Sequence, residues 1–198
     1  MDLWETYSSV LKDKTPETFP EAPGMDVPWY WKGLEQGRPN DQFPGLKTLK
    51  ADMKAFNAPR EPLDRRQLIF YRTIGDLPND ANLHMCAHLY ASDRNSLFIV
   101  ANHLEVGGSY SQIGSLTHTV NFHAPVQHLM FKPESSVSEG NPQGNWFCKE
   151  DWTERASVGR GVFHSRGWSP DGTHVMSVMQ DGMIRVGEPP KGKVRGRL

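Results

Sequence analysis

The sequence predicts an α+β fold in which an antiparallel sheet wraps around one long central helix. Three observations support this prediction: two strand-like segments precede a long apolar helical segment, four strand-like segments follow it, and turn-forming stretches separate them. A helix that is apolar on most of its circumference is usually surrounded by protein, so we expect the strands to enclose it. A chain of 198 residues is long enough for one such domain with a hydrophobic core.

Residues 1–43 differ in composition from the rest of the chain and predict an extended, Pro-rich N-terminal arm. Prolines every few residues remove backbone donors and fix φ, so no long helix or central strand fits this segment. There is room for a helix at about residues 2–12. Trp29, Tyr30 and Trp31 are unusual for a free linker, and we expect them to lie in shallow grooves of a folded surface.

The predicted domain, residues 44–188, begins with two strands. Residues 46–56 alternate loosely between apolar and polar side chains, as in a strand with one solvated face. Residues 67–75 are rich in aromatic and β-branched side chains, which favours a second strand. The stretch Leu-Pro-Asn-Asp-Ala-Asn then breaks the pattern and supplies a helix start, with Asn79 or Asp80 as the N-cap.

One long helix is predicted over residues 81–104. Apolar residues recur there at helical spacing, among them Leu83, Ala87, Tyr90, Leu97 and Val100. Asp93, Arg94 and Asn95 interrupt this otherwise apolar segment. A carboxylate is unexpected in a segment that otherwise favours burial, and a catalytic role for Asp93 would explain it.

Four strand-like segments follow the helix, at residues 113–125, 145–156, 159–169 and 173–187. Glycines and a Ser-Pro-Asp-Gly stretch supply turns between them. Residues 126–144 predict a loop insertion, and residues 189–198 form a basic tail. Antiparallel strands around one central helix make a hotdog fold, although other α+β arrangements share this order of elements.

Composition argues against several classes of function. The formal net charge of −1 argues against electrostatic binding to nucleic acid or to an anionic membrane surface. No apolar run reaches the roughly 18 residues of a membrane span, and the first residues lack the basic-then-apolar order of a secretory signal. The two cysteines, Cys86 and Cys148, fit a reducing compartment but would allow one disulfide. We therefore expect an intracellular protein.

Three stretches carry a resemblance to a known family: LHMCAHLYASDRNSL from residue 83, SLTHTVNFHAP from residue 115 and SRGWSPDGTHVMSVMQDGMIRV from residue 165. In order and spacing they resemble the C-terminal hotdog domain of the acyl-CoA thioesterase II family, which includes peroxisomal acyl-CoA thioesterases. The resemblance covers about residues 44–187. It implies a hotdog fold and hydrolysis of an acyl-CoA thioester.

The resemblance also implies a catalytic site. In the family, an aspartate from the central helix, a Ser or Thr from the next strand and a Gln from the last strand surround one water. The matching residues are Asp93, Ser115 and Gln180. Asp93 would accept a proton from the attacking water. Ser115 and Gln180 would orient the water or donate a hydrogen bond to the thioester carbonyl.

Other polar residues near these motifs are candidates for supporting roles at most. Arg94, Asn95 and His118 lie close to them in sequence. His84 and His88 are four residues apart on the helix, but the sequence has no third metal ligand at a suitable spacing. We therefore interpret them as packed or hydrogen-bonded histidines and predict no metal. No cofactor is expected, and coenzyme A enters only as part of an acyl-CoA substrate.

The chain departs from the family in two respects. Family members usually contain two hotdog domains, whereas this chain has room for one, so we expect a homodimer or pairing with another hotdog chain. Relatives commonly have Asp-His-Ser-Met-Trp-Phe-His in the strand after the helix, where this chain has residues 117–123, Thr-His-Thr-Val-Asn-Phe-His. The loss of the acidic residue and the Trp predicts a different acyl group or relaxed selection on catalysis.

These departures leave two other functions open. One is a non-catalytic or partner-dependent hotdog subunit that has lost its first domain. The other is a hotdog dehydratase or isomerase, in which Asp93 would act with His118 or His123. The final residues, Gly-Arg-Leu, resemble a degraded C-terminal peroxisomal targeting signal. Localisation to the cytoplasm and localisation to the peroxisome are therefore both left open.

Overall fold

The computed structural model describes residues 3–41, 43–106, 110–133 and 144–187. The basic tail with its Gly-Arg-Leu end and most of the predicted loop insertion lie outside the described residues. Six strands form one antiparallel sheet in the order β1-β2-β4-β5-β6-β3. They are β1 Leu46–Lys50, β2 Gln67–Thr73, β3 Tyr110–Phe122, β4 Phe147–Ser157, β5 Arg160–Trp168 and β6 His174–Val186. The predicted α+β fold is confirmed.

The α-helices of the described part are α1 Leu3–Thr6, α2 Ser8–Leu11, α3 Pro28–Glu35, α4 Lys54–Asn57, α5 Ala81–Asp93 and α6 Phe98–His103. Short 3-10 helices lie at Pro16–Thr18, Pro62–Asp64 and Val126–Leu129. The predicted N-cap of the central helix is confirmed, because the Asp80 carboxylate accepts the Asn82 N–H. The strand predicted over residues 46–56 is too long. The Asp52 carboxylate accepts the Lys54 N–H, a local bond that turns the chain into α4 instead.

The helix predicted over residues 81–104 is wrong as a single element, because α5 ends before α6 begins. Arg94 has an extended backbone with ψ of 125° and Asn95 has a left-handed φ of 56°, so neither residue continues the helix. Asn tolerates the left-handed region better than most residues. Its side chain also accepts the Asp26 N–H and donates to the Pro23 carbonyl. These bonds fix the turn against the N-terminal segment.

The main hydrophobic core lies between the sheet and the two consecutive helices α5 and α6. Strand residues such as Tyr71, Phe147 and Val178 pack there with Ile99 and Val100 of α6. We call the face of the sheet that packs on these helices the inner face. Side chains alternate between the two faces of a strand, so the residues between those of the core point to the outer face. The core therefore anchors the segment that contains Asp93.

The N-terminal segment covers the opposite, outer face of β2 and β4. A second hydrophobic cluster forms there, in which Leu3, Tyr7 and Leu11 are buried with Phe70 and Trp146. The segment is more structured than the extended arm predicted from its prolines, since it contains α1, α2 and α3 and buries aromatic rings completely. Prolines prevent long helices but permit short ones that tertiary contacts stabilise.

None of the helices in the described ranges is both long and apolar enough to cross a membrane.

Candidate active site

Three elements bring the predicted catalytic residues together. Asp93 is the last residue of α5, Ser115 lies in β3 and Gln180 lies in β6. The two strands are antiparallel neighbours, with Ser115 opposite Gly182 and His118 opposite Gln180. Residues 180 and 182 share one face of β6, so their partners in β3 also meet on the inner face.

An irregularity in β3 makes this arrangement possible. Ser115 and His118 are three residues apart and would face opposite sides of a regular strand. The register with β6 shifts between Ser115 and Thr117, which leaves Leu116 as an extra residue. Such a bulge restores the same facing on both of its sides. It therefore places a hydroxyl and an imidazole on the same face of the sheet.

Gln180 links the other two residues through its amide nitrogen. Nε2 lies 2.8 Å from Asp93 Oδ1 and 2.6 Å from Ser115 Oγ, and it donates to both. Gln180 is completely buried, whereas the Asp93 side chain is 59% exposed. A rigid buried amide thus holds an accessible carboxylate and a hydroxyl in a fixed relation.

The turn between α5 and α6 packs directly on β6 beside this network. Leu97 occupies the space above Gly182, where a Cβ atom would lie 2.4 Å from Leu97 Cδ1. A larger residue at position 182 would require the Leu97 side chain, in the turn after Asp93, to move away from the strand. The absence of a side chain at position 182 therefore contributes to the position of the carboxylate.

His118 joins the network from the side. Its Nδ1 is 3.8 Å from Asp93 Oδ1, and its Nε2 is 3.1 Å from Ser92 Oγ. The Ser92 hydroxyl donates to the Leu89 carbonyl, so its oxygen accepts from the His118 Nε2–H. Ser92 is completely buried and cannot reach a substrate. Ser92 was not predicted from the sequence, although it directly precedes Asp93 in the family-like motif.

Arg94 and Asn95 do not face the network. The Arg94 guanidinium lies over the ring of Phe43, and burial lowers its pKa. The Asn95 side chain is occupied by its bonds to the N-terminal segment. Of the three residues predicted to support the site, the structure places only His118 beside Asp93.

The remaining histidines near the motifs have structural partners. His88 Nε2 donates to the Leu129 carbonyl, and its Nδ1 accepts from the Tyr71 hydroxyl, each over 2.8 Å. His84 accepts the Phe131 N–H at its Nδ1. The interpretation of His84 and His88 as packed histidines is thus confirmed. Within the described ranges, no three His, Cys, Asp or Glu side chains are grouped so that they could hold a metal ion.

A cavity of about 750 Å³ lies elsewhere, between the N-terminal segment, α4 and the end of α6. None of Asp93, Ser115 and Gln180 lines it. Two of its cations are neutralised by carboxylates, Lys50 by Asp26 and Arg65 by Glu105. This cavity is thus separate from the network, in which Asp93 and Ser115 are exposed and Gln180 is buried.

Solved structures with the same fold support this architecture. An acyl-CoA thioesterase II from Mycobacterium marinum aligns with a TM-score of 0.56 and 24% identity, over 88% of this chain and 57% of that chain. A hot dog fold protein of unknown function from Alicyclobacillus acidocaldarius aligns with a TM-score of 0.55 and 16% identity, over 86% and 52% of the two chains. The hotdog fold is thereby shown.

Curated relatives are longer than this chain. It is 26% identical to mouse acyl-coenzyme A thioesterase 8 over 142 residues, and 22% identical to Haemophilus influenzae acyl-CoA thioesterase 2 over 153 residues. These matches span 68% and 75% of this chain but only 39% and 48% of the relatives. The family model for the acyl-CoA thioesterase C-terminal domain matches residues 34–184. The chain therefore belongs to the family of acyl-CoA thioesterase C-terminal domains.

Proposed function

We propose that the chain hydrolyses the thioester bond of an acyl-CoA to a free carboxylic acid and coenzyme A. The observation that carries this proposal is the network of Asp93, Gln180 and Ser115, which joins a carboxylate, an amide and a hydroxyl from three elements. Membership of the family supports an acyl-CoA as the substrate class.

Asp93 acts as the general base in this proposal. Its Oδ1 accepts a hydrogen bond from Gln180, and Oδ2, which has no hydrogen-bond donor among the described residues, can accept one from a water. As the water oxygen attacks the thioester carbonyl carbon, its proton passes to Asp93 and negative charge develops on the carbonyl oxygen. The tetrahedral intermediate then breaks its C–S bond. The proton moves from Asp93 to the departing thiolate, which restores the carboxylate.

Ser115 serves as a donor rather than as a nucleophile. Its oxygen already accepts one Gln180 N–H, so its own hydrogen can be donated to the water or to the thioester oxygen. Both Gln180 N–H groups are used within the network, so Gln180 fixes the geometry of the other two. No covalent intermediate is needed.

The dehydratase or isomerase alternative would use a histidine beside Asp93. His123 lies on the outer face, where its Nε2 is 2.9 Å from Ser177 Oγ, so only His118 could take that role among the two histidines considered. In this alternative the hydrogen bonds from Gln180 to Asp93 and Ser115 would have no role in the reaction. Thioester hydrolysis uses all three residues, and we favour it for that reason.

We further propose that a second hotdog unit, either another copy or a different hotdog chain, completes the substrate cleft. The face of α5 that leads to Asp93 exposes Leu83, Leu89 and Tyr90 by 45%, 42% and 40%. β3 is an edge strand of the sheet and is mostly exposed. Exposed apolar surface beside an open edge favours a protein partner. A chain that acts only with such a partner would be the partner-dependent subunit.

Thiol release from a panel of acyl-CoAs tests the proposal, with the purified chain and its Asp93→Asn variant side by side. The introduced amide would keep an oxygen for Gln180 but could not take a proton, so we expect a loss of about 10² to 10⁴ in turnover without loss of stability. Asp76→Asn, at an exposed carboxylate elsewhere, is the matched control and should retain activity. Equal rates for Asp93→Asn and wild type would contradict the assignment of the base. A folded wild-type chain that releases no thiol would instead favour a partner-dependent subunit.

A further inference from the structure

Lys149 is a charged side chain in the interior that the proposed reaction does not use. It is only 1% exposed and lies in β4 on the inner face, which it shares with Phe147 and Asp151. Burial of an ammonium group is unfavourable unless the charge is paired and its hydrogens are donated. The contacts of this group therefore indicate what it stabilises.

Two contacts define the surroundings of the ammonium group. Lys149 Nζ donates to the backbone carbonyl of Arg94 over 3.2 Å, and it lies 3.7 Å from Asp151 Oδ2. Asp151 is equally buried; burial raises the pKa of its carboxyl group, while the Lys149 charge acts in the opposite direction. The ammonium thus bridges a buried counter-ion in the sheet and a backbone carbonyl at the end of α5.

The position of this carbonyl gives the contact its importance. Carbonyls at the C-terminal end of a helix lack donors within the helix, and the negative end of the helix dipole favours a cation. Arg94 directly follows Asp93, and the chain leaves the helical conformation at this residue. The neighbouring Asp93 carbonyl accepts the Ser96 hydroxyl instead. Lys149 therefore supplies a charged donor at the point where α5 must stop.

The contact also connects the end of α5, which carries Asp93, with the sheet, which carries Gln180. β4, β5 and β6 are consecutive neighbours in the sheet, and β6 carries Gln180. A bond from β4 to the residue after Asp93 fixes the end of α5 relative to that sheet. The distance of 2.8 Å from Gln180 Nε2 to Asp93 Oδ1 depends on this relation.

We infer that Lys149 is a positioning residue for Asp93, which it holds in place through the carbonyl of Arg94 with Asp151 as counter-ion. The inference rests on the proposed thioesterase function for its consequence in catalysis. It does not depend on that function for its structural part, which concerns the turn after α5.

The test compares wild type with Lys149→Met, and with the double variant Lys149→Met/Asp151→Asn, which leaves no unpaired buried carboxylate. We expect kcat for thiol release to fall about 10- to 100-fold with KM unchanged within about twofold, because the base is misplaced while binding surfaces remain. We also expect faster amide hydrogen exchange at residues 94–98 in both variants.

Tyr7→Phe is the matched control, because it removes a bond of 2.7 Å from the Tyr7 hydroxyl to Glu150 on the opposite face of β4. This variant weakens the same strand without touching the end of α5, so kcat and exchange at residues 94–98 should stay as in wild type. Unchanged kcat and exchange in a folded double variant would overturn the inference. If wild type itself releases no thiol, the proposed function fails separately, and exchange at residues 94–98 still decides the positioning role.

Discussion

The sheet has two regions that differ in how they are covered. Five consecutive residues of β2 are buried, because α5 contacts its inner face through His88 and Tyr71 and the N-terminal segment packs on its outer face. Along β3, which forms an edge of the sheet, most residues are exposed and none is buried. Ser115 belongs to this exposed region. The double-covered region thus supplies stability, while the candidate chemistry lies in the region with little cover.

Asp93 connects the two regions. Its helix is anchored in the core beside β2 and β4, but its carboxylate points to the exposed side, where it meets Gln180. The Asp93 side chain can therefore be altered at little cost to the stability of the fold. Substitution of the core residues that anchor its helix would cost more stability.

The largest effect is expected from truncation of Phe70 in the double-covered region. Phe70 is fully buried in β2, with its ring stacked on Phe19 at 5.7 Å, so Phe70→Ala should lower the free energy of unfolding by about 3–5 kcal/mol. Leu116→Ala in β3, at a residue that is 53% exposed, should change it by less than about 0.5 kcal/mol. Urea denaturation measures both. Equal losses would show that the two regions do not differ in stability.

An intermediate effect is expected from pH, through His88 in the core. Burial lowers the pKa of His88 to about 4, below its ordinary value of 6.5. Between these values the unfolded chain binds a proton that the folded chain does not, so stability should fall as pH drops from 6.5 to 4. The full loss amounts to about 3 kcal/mol.

Urea denaturation of wild type and His88→Gln at several pH values isolates this contribution. His103, whose pKa burial also lowers to about 4, remains in both proteins, so the difference between them reports His88 alone. We expect a weaker pH dependence in His88→Gln. Parallel curves would contradict a neutral His88 in the folded state.

The smallest effect on stability is expected on the exposed face of α5. The double variant Leu83→Gln/Leu89→Gln should change the free energy of unfolding by less than about 1 kcal/mol, since both side chains are exposed. If this face meets a second hotdog unit, self-association measured by sedimentation should weaken. Leu63→Gln, at an exposed leucine outside this face, is the control. Unchanged association would direct the search for a partner surface to β3.

Apart from β1, whose predicted range was too long, the sequence predicted the strands well because their signals are local. Aromatic and β-branched content marks residues 67–75, and turn residues separate the later strands. Asp80 was recognisable as an N-cap for the same reason. The break in the central helix was not predicted, because apolar residues continue at helical spacing through Leu97 and Val100, and no Gly or Pro marks the turn. Tertiary bonds of Asn95 decide the conformation there.

The candidate site was predicted from the family resemblance rather than from periodicity. Ser115 and Gln180 carry no chemical signal as isolated residues, and regular alternation would have separated Ser115 from His118. The bulge at Leu116 that unites them depends on pairing with β6, which a single strand does not reveal. The contribution of Lys149 was equally hidden, because a lysine in a strand normally faces solvent.

The docking of the N-terminal segment has a consequence for biosynthesis. Tyr7 bonds to Glu150 across 143 residues, and Glu17 accepts the Trp146 indole N–H across 129 residues. The ribosome makes the early partners of these pairs long before the late ones, so the cover that β4 provides for the segment comes after the contacts with Phe56 and Phe70. Until β4 is made, part of the apolar surface of the segment lacks its final cover, and transiently exposed apolar surface favours aggregation. The surface that stabilises the folded protein is thus also a surface that can misassemble before folding is complete.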